Sequence, residues 1–293
     1  PMNPGIRTGL FPDLAGRLTV GYLRAVGLEL RAAQITAMAD GGGLRLDHRV
    51  AEFYGGGLAG TLHLDLRGRE PEIKLQTAAL GFQVGPLLAD LTGTAGLAGR
   101  GDLSVSLATA GLDRAALARA LRGTCALRLG EGALVGVDLD ALIEGAVSSV
   151  AGRPAQGQAL GEVSRTVFYD LSASALAADG ILRSDDLIAH GPWFQATGGG
   201  TLDLADGRLD ARLLPVLVKP PQGRGLEELE GIPIPLTLTG TLGAPVWRVD
   251  LASALREVAR RKLDGRGENL IRDLDRRSGV KGLGDMLRGL LGH

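Results

Sequence analysis

The sequence is poor in aromatic residues, cysteine and long apolar runs, and each shortage excludes a class of protein. Aromatic residues make up 3% of the chain, which disfavours an enzyme with an aromatic-lined pocket. The single cysteine, Cys125, cannot form an intramolecular disulfide or a multi-thiolate metal site, and we expect a small packed side chain rather than a nucleophile. The longest unbroken apolar run, residues 213–218, is far shorter than the roughly 20 residues of a membrane-spanning helix.

An excess of charge of one sign is also missing. The chain has 32 Lys and Arg against 33 Asp and Glu, a net charge of −1, which disfavours a nucleic-acid partner. The same balance, with a hydrophobic share of 45%, argues against disorder. Glycine is abundant instead, with 46 residues, and it lacks the three-residue period of collagen.

The dominant pattern is a period-two alternation of apolar and polar residues between glycine-rich turns. It is clear in residues 44–48, 61–67 and 102–107 and is typical of strands with one apolar and one polar face. The Asp206-Gly207 pair between two such runs predicts a hairpin. A Gly-x-Leu opening recurs at Gly60, Gly101, Gly200 and Gly240. We therefore predict a mainly β chain with short helices, an α+β protein whose elongated sheet grows by similar groups of strands.

Short helices are predicted at about residues 85–91, 112–122 and 138–150, where apolar residues follow helical spacing. Residues 1–250 would form one sheet domain containing these helices, and residues 251–293 an amphipathic helical tail. A basic amphipathic helix can lie on a membrane surface. The interspersed acids Glu257, Asp264, Asp273 and Asp275 favour the alternative that the tail caps one end of the sheet.

No motif predicts catalysis, a metal or a cofactor. Residues 55–60 match Gly-x-Gly-x-x-Gly formally, but a strand follows where a dinucleotide site needs a helix. We place His48 and His63 on the polar phase of their strands, as solvated side chains rather than metal ligands. Asp185 and Asp186 are expected in a turn or at an exposed edge, since calcium needs more oxygen ligands. We therefore predict that the protein is not an enzyme.

Many segments, in one order over roughly residues 15–255, resemble the C-terminal region of the AsmA family. They are LRLD at 44–47, EFYGG at 52–56, LAGTL at 58–62, VGPLLADL at 84–91, LAGRG at 97–101, LRGT at 121–124, EGALVGVDL at 131–139, DGIL at 179–182, DDL at 185–187, GGTLDL at 199–204, PIPL at 233–236, LTGTL at 238–242, APVW at 244–247 and DL at 250–251. The assignment depends on their number and order.

The resemblance implies a protein of the Gram-negative envelope. Such proteins are held in the inner membrane by an N-terminal helix, which we expect to be absent from this chain, and project into the periplasm. They act in outer-membrane biogenesis, and larger relatives resemble bridge-like lipid-transfer proteins with a long curved sheet. The resemblance therefore implies a strongly curved, taco-like antiparallel sheet whose groove is capped by amphipathic helices.

The alternation then assigns candidate residues to an apolar groove that phospholipid acyl chains could occupy. These lipid-groove candidates are Leu62, Leu64, Leu66, Ile73, Leu75, Leu103, Val105, Leu107, Leu127, Leu129, Leu202, Leu204, Leu236 and Leu238. The function expected is lipid binding or conduction without catalysis, for outer-membrane biogenesis and lipid homeostasis. The alternative is a structural or interaction domain that binds envelope proteins and assists outer-membrane protein assembly. Contact of the tail with a membrane surface stays open.

Overall fold

The computed structural model describes residues 13–25, 27–139, 141, 164–219, 229–250, 252–254, 256–257 and 260. Within them, fourteen strands form one antiparallel sheet that is not closed into a barrel, accompanied by few short helices. The predicted fold class, a mainly β chain built on an open antiparallel sheet, is confirmed. None of the helices in these residues has the length and apolarity to cross a membrane.

The sheet is a meander in which almost every strand pairs with its neighbours in sequence. The strands are β1 Leu14–Ala25, β2 Leu28–Asp40, β3 Gly43–Phe53, β4 Gly56–Asp65, β5 Glu72–Gln83, β6 Leu97–Ala110, β7 Arg122–Val135, β8 Arg165–Phe168, β9 Asp170–Ala178, β10 Ile181–His190, β11 Phe194–Asp203, β12 Arg208–Leu217, β13 Leu236–Thr241 and β14 Ala244–Val249. Strands β8 and β9 both pair with β7, β8 with its end and β9 with its beginning. They therefore occupy the same place in the order of strands, next to β7.

The turns follow the glycine pattern of the sequence. Tyr54 and Gly55 join β3 to β4 with φ angles of 48° and 81°, the left-handed pair that a two-residue hairpin turn requires. Residues 55–60 therefore belong to a hairpin and do not open a helix, so the dinucleotide interpretation has no structural support. Between β11 and β12 the chain turns at residues 204–207, which confirms the predicted Asp206-Gly207 hairpin.

Two of the predicted helices lie fully within the described residues. Helix α1 (Val84–Thr92) ends at Gly93, whose left-handed φ of 81° is easy for glycine and whose N–H binds the Ala89 carbonyl. Helix α2 (Arg114–Arg119) is shorter than predicted: Asp113 caps its first turn by accepting the Ala116 N–H at 2.8 Å, and β7 already begins at Arg122.

The other two predicted helices are described only at their beginnings. Leu139 and Ala141 are helical, with the Asp138 carboxylate accepting the Ala141 N–H, and the rest of the predicted helix over 138–150 lies outside the described residues. In the tail, residues 252–254, 256–257 and 260 are helical. The Asp250 carboxylate accepts the Ser253 N–H and hydroxyl at 3.2 and 2.7 Å, and these hydrogen bonds lower the pKa of Asp250.

The sheet bends strongly, as one contact between distant strands makes plain. The turn between β13 and β14 lies against the C-terminal end of α1, where a methyl group on Gly243 would be 3.1 Å from the Thr92 carbonyl oxygen. Strand β6, which follows α1, is six pairings away from β13, about 29 Å in a flat sheet. The two regions can meet only because the sheet curves.

Candidate functional site

The register collects apolar side chains on one face, because residues directly opposite each other on paired strands project from the same face. One cross-strand row crosses the whole sheet without a charged or polar side chain. It contains Gly16, Ala37, Leu46, Leu62, Leu75, Leu107, Gly123, Ala177, Leu182, Leu202, Leu209, Gly240 and Pro245. At about 4.8 Å per strand, this row is roughly 55–60 Å long along the sheet.

The opposite face is polar. Arg45, His63 and Lys74 are successive partners across β3, β4 and β5. The Arg45 Nε donates to both oxygens of the Asp47 carboxylate, at 3.0 and 3.2 Å, and this hydrogen bonding lowers the pKa of Asp47. Such exposed ion pairs stabilise the fold little, but they identify this face as the one in contact with water.

A first hydrophobic cluster covers one end of the apolar face. Helix α1 places Val84 and Leu87 against Phe53 and Phe82, with the rings of the two phenylalanines 6.2 Å apart between centroids. The cluster's buried members are Ala33, Val50, Phe53, Ala79, Phe82, Val84, Leu87, Leu129 and Phe168. Here the apolar face is ordinary protein core and has no room for a ligand.

A second cluster covers one end of the apolar face of β10 to β13. Residues 229–235 run across it, fixed by the Ile234 N–H, which donates to the Pro215 carbonyl at 2.9 Å. Its buried members are Leu139, Ala189, Phe194, Ala196, Leu217, Leu229, Ile232, Ile234, Leu236 and Ala254. Ala254 lies in the helical beginning of the tail, so this part of the tail packs on the sheet as the capping interpretation predicts.

On strands β3 to β6, the ends away from the first cluster keep an apolar area that neither cluster includes. We call it the uncovered strip and define it as Leu44, Leu46, Leu62, Leu64, Ile73, Leu75, Val105 and Leu107, all half-buried. Leu64 lies directly opposite Leu44 and Ile73, so its members contact one another across strands. The strip therefore offers a continuous apolar surface suited to a hydrocarbon ligand.

The fourteen predicted groove residues fall into three groups. Leu62, Leu64, Ile73, Leu75, Val105, Leu107, Leu202 and Leu238 lie on the apolar face outside both clusters. Leu129 and Leu236 are buried in the clusters, and Leu103 and Leu127 pack against the first. Leu66 follows the end of β4, and Leu204 lies 39% exposed in a turn. Their role as lipid contacts stays a prediction.

The groove candidates omitted Leu44, Leu46, Leu182 and Leu209, although the same alternation marks them. The prediction for His48 is wrong: it shares its phase with Leu46 and Val50 and faces the apolar side. The assignment to the polar phase follows the polarity of histidine, whereas the alternation with Leu44 and Leu46 puts position 48 on the apolar face. His63 does lie on the polar face, as predicted.

The residues that could resemble a catalytic or metal site have ordinary structural partners. No group of three or more metal-ligating side chains occurs in the described residues. Asp186 accepts hydrogen bonds from the Ser174 N–H and hydroxyl at a β-bulge. Cys125 lies half-buried on the apolar face opposite Val105, and burial raises the pKa of its thiol, which makes it a poor nucleophile.

Tyr54 ties α1 to the sheet at the covered end. Its hydroxyl donates to the Asp90 Oδ2 at 2.5 Å and accepts the Glu29 N–H at 3.1 Å. Burial, together with the carboxylate of Asp90, raises the pKa of Tyr54 to about 12. One side chain therefore links β2, the β3–β4 turn and α1.

We expect Tyr54→Phe to lower the free energy of unfolding by about 1–2 kcal/mol, because it removes a hydrogen bond to a charged acceptor. The wild type's advantage should be constant below pH 10 and shrink as the pH rises toward 12, since the phenol of the unfolded chain ionises first. Urea denaturation across pH measures both effects. Tyr169→Phe, at a tyrosine that is 53% exposed, is the matched control, and an equal loss in both variants would contradict the link from Tyr54 to Asp90 and Glu29.

Comparison with known proteins gives one result. The AsmA family model matches residues 2–187, which is more than half of the chain. No curated protein and no solved structure matches it.

Proposed function

Because the chain belongs to the AsmA family, we propose that it is a non-enzymatic module that binds or conducts phospholipid acyl chains along its apolar face. The family is one of envelope proteins, and membership supports an envelope- or lipid-related role. It is not known as an enzyme family. The observation that carries the proposal is the uncovered strip on an open, curved sheet.

The dimensions of the apolar face suit an acyl chain. A bilayer's hydrocarbon core is about 30 Å thick and holds two chain lengths, so one chain needs about 15 Å, or three to four strands. The strip spans the four strands β3 to β6, and the apolar row continues beyond it. Each buried CH₂ contributes about 0.8 kcal/mol, so a chain can bind there without a specific polar contact.

The cellular setting of the proposal follows the family. We place the module in the periplasm, held at the inner membrane by a segment outside this chain, in outer-membrane biogenesis and lipid homeostasis. Contact of the tail with a membrane surface, and binding to envelope proteins, belong to the same proposal. The helical beginning of the tail packs against the second cluster through Ala254, which leaves the remainder of the tail as the candidate for such contacts.

The sharpest test uses two neighbouring residues of β6 that face opposite sides. Val105 is half-buried in the strip, and Ser106 is exposed on the polar face. We expect phospholipid to co-purify with the wild type and Val105→Asp to lose at least about tenfold of it, because a carboxylate is costly to bury against acyl chains. Ser106→Asp should retain wild-type lipid. Extraction and mass spectrometry give the lipid-to-protein ratio.

Cys125 supplies a second measurement without any mutation, since it lies opposite Val105 and is the only cysteine. Reloading delipidated protein with phosphatidylethanolamine should slow alkylation of this thiol. Two results together would contradict the proposal. The wild type would purify without lipid, and its thiol would be alkylated equally fast before and after lipid is added. A pull-down of envelope proteins that is unaffected by Val105→Asp but lost on deletion after Asp250 would support the alternative, an interaction domain.

A further inference from the structure

A polar bridge crosses the apolar face beside the uncovered strip. His48, Gly60 and Thr77 are successive partners on β3, β4 and β5, and the His48 Nε2 lies 3.0 Å from the Thr77 Oγ1. Gly60 has no side chain between them, and a Cβ there would be 2.1 Å from the Gln76 carbonyl oxygen, so β4 and β5 approach too closely for a side chain at this position. The bridge therefore crosses β4 at a glycine.

The hydrogen bonds assign the tautomer of His48. The Thr77 hydroxyl has one hydrogen and donates it to the Ala59 carbonyl at 3.1 Å. Thr77 must therefore accept from His48, which places the proton on Nε2 and leaves a lone pair on Nδ1. Burial lowers the pKa of His48 from 6.5, so the ring is neutral at pH 7. Nδ1 has no hydrogen-bond partner among the described residues.

We infer that His48 gives the groove a hydrogen-bond acceptor for a hydroxyl group on a bound acyl chain, so that hydroxylated chains bind more tightly than unsubstituted ones. The inference rests on the proposed function. It adds to it a chemical preference within the class of acyl-chain ligands.

The surroundings of His48 select a neutral donor. Apolar rows lie on both sides of the bridge, with Leu46 and Leu62 in one and Val50 and Leu58 in the other. A phosphate or carboxylate would bring a charge onto this face and would meet a lone pair instead of an N–H. A hydroxyl on a hydrocarbon chain carries no charge and donates one hydrogen. His48 is half-buried and its bond to Thr77 uses only Nε2, so the bridge itself does not occupy Nδ1.

The experiment compares palmitic acid with a positional series of hydroxypalmitic acids on delipidated wild-type protein. Affinity is read from protection of Cys125 against alkylation, because Cys125 is two positions from Thr77 in the same cross-strand row. One net hydrogen bond predicts that the best-placed hydroxyl tightens binding roughly threefold to tenfold. Both ligands carry the same carboxylate. The ratio of the affinity for the hydroxylated acid to that for palmitic acid therefore reports the contribution of the hydroxyl alone.

Two variants test the assigned residue. His48→Leu should retain palmitic acid binding and lower the ratio to about one, since leucine continues the apolar row. Thr77→Val should lower the ratio as well, because it removes the acceptor that fixes the tautomer, while the imidazole stays. Circular dichroism compares the folding of both with wild type.

The outcomes separate the two proposals. Equal affinity for both ligands in the wild type, or a preference that persists in His48→Leu, overturns this inference while the proposed function stands. Failure of both ligands to protect Cys125 overturns the proposed function and this inference with it. Preference for the hydroxylated chain that disappears in both variants supports the assignment.

Discussion

Phe82→Ala is expected to lower the free energy of unfolding by about 3–5 kcal/mol. Phe82 is 0% exposed and contacts Phe53 in the first cluster. It lies beside a register shift of β5, where the Gly81 N–H binds the Asp102 carboxylate and the Gln83 N–H binds the Tyr54 carbonyl. Because backbone bonds on both sides fix the strand, the cavity cannot collapse, and the loss should lie in the upper half of this range.

Urea denaturation measures this loss as a lower midpoint at an unchanged m-value. Leu80→Ala is the control, since Leu80 is on the same strand and 63% exposed, and its effect should stay within about 0.5 kcal/mol. A loss below about 1 kcal/mol in Phe82→Ala would mean that the first cluster is not the core of this part of the sheet.

Ile234→Ala is expected to cost about 2–4 kcal/mol, the largest effect we predict for the second cluster. Ile234 is 0% exposed and is a buried member of the second cluster within residues 229–235. Its N–H bond to Pro215 and the bridge from Val216 to Pro233 hold the segment in place. Removing the side chain should loosen this cover over the apolar face.

Hydrogen exchange distinguishes a local from a global effect of Ile234→Ala. Amides of β12 and β13 should exchange faster, whereas those of β3 to β6 should change less. The two clusters share one packed neighbour, Leu171, so little of the disturbance should pass from the second cluster to the first. Ile188→Ala, at a 41% exposed isoleucine of β10, is the matched control. Uniform acceleration over the whole sheet would contradict two separately packed clusters.

The distribution of bulky side chains explains why the strip stays outside both clusters. The phenylalanines of the described residues, Phe53, Phe82, Phe168 and Phe194, are all buried in the two clusters. Strands β3 to β6 contribute mainly leucines to the strip, which lie side by side on a curved sheet and do not reach across it. The shortage of aromatic residues in the composition therefore has its effect at the strip, where aliphatic side chains alone do not fill the apolar face.

Much of the sheet could be predicted because its information is local. Alternation in residues 61–67 and 102–107 sets the face of each side chain, and the Asp206-Gly207 pair sets a hairpin. The limits of strands were less accessible. Leu66 continues the alternation of β4 and its N–H still binds the Gly42 carbonyl, but it follows the last residue of the strand, and Leu204 lies in a turn. Alternation does not specify where pairing stops.

By itself, the sequence determined the class of the sheet, its hairpin turns and the apolar character of one face, because these depend on neighbours within a few residues. Only the tertiary structure decided which part of that face is covered. Leu129 and Leu236 have the same pattern as Leu64 and Val105, yet the first two are buried and the other two are half-buried. The difference comes from α1 and residues 229–235, which reach across the sheet from elsewhere in the chain. The placement of His48 over Gly60 likewise required three strands in register.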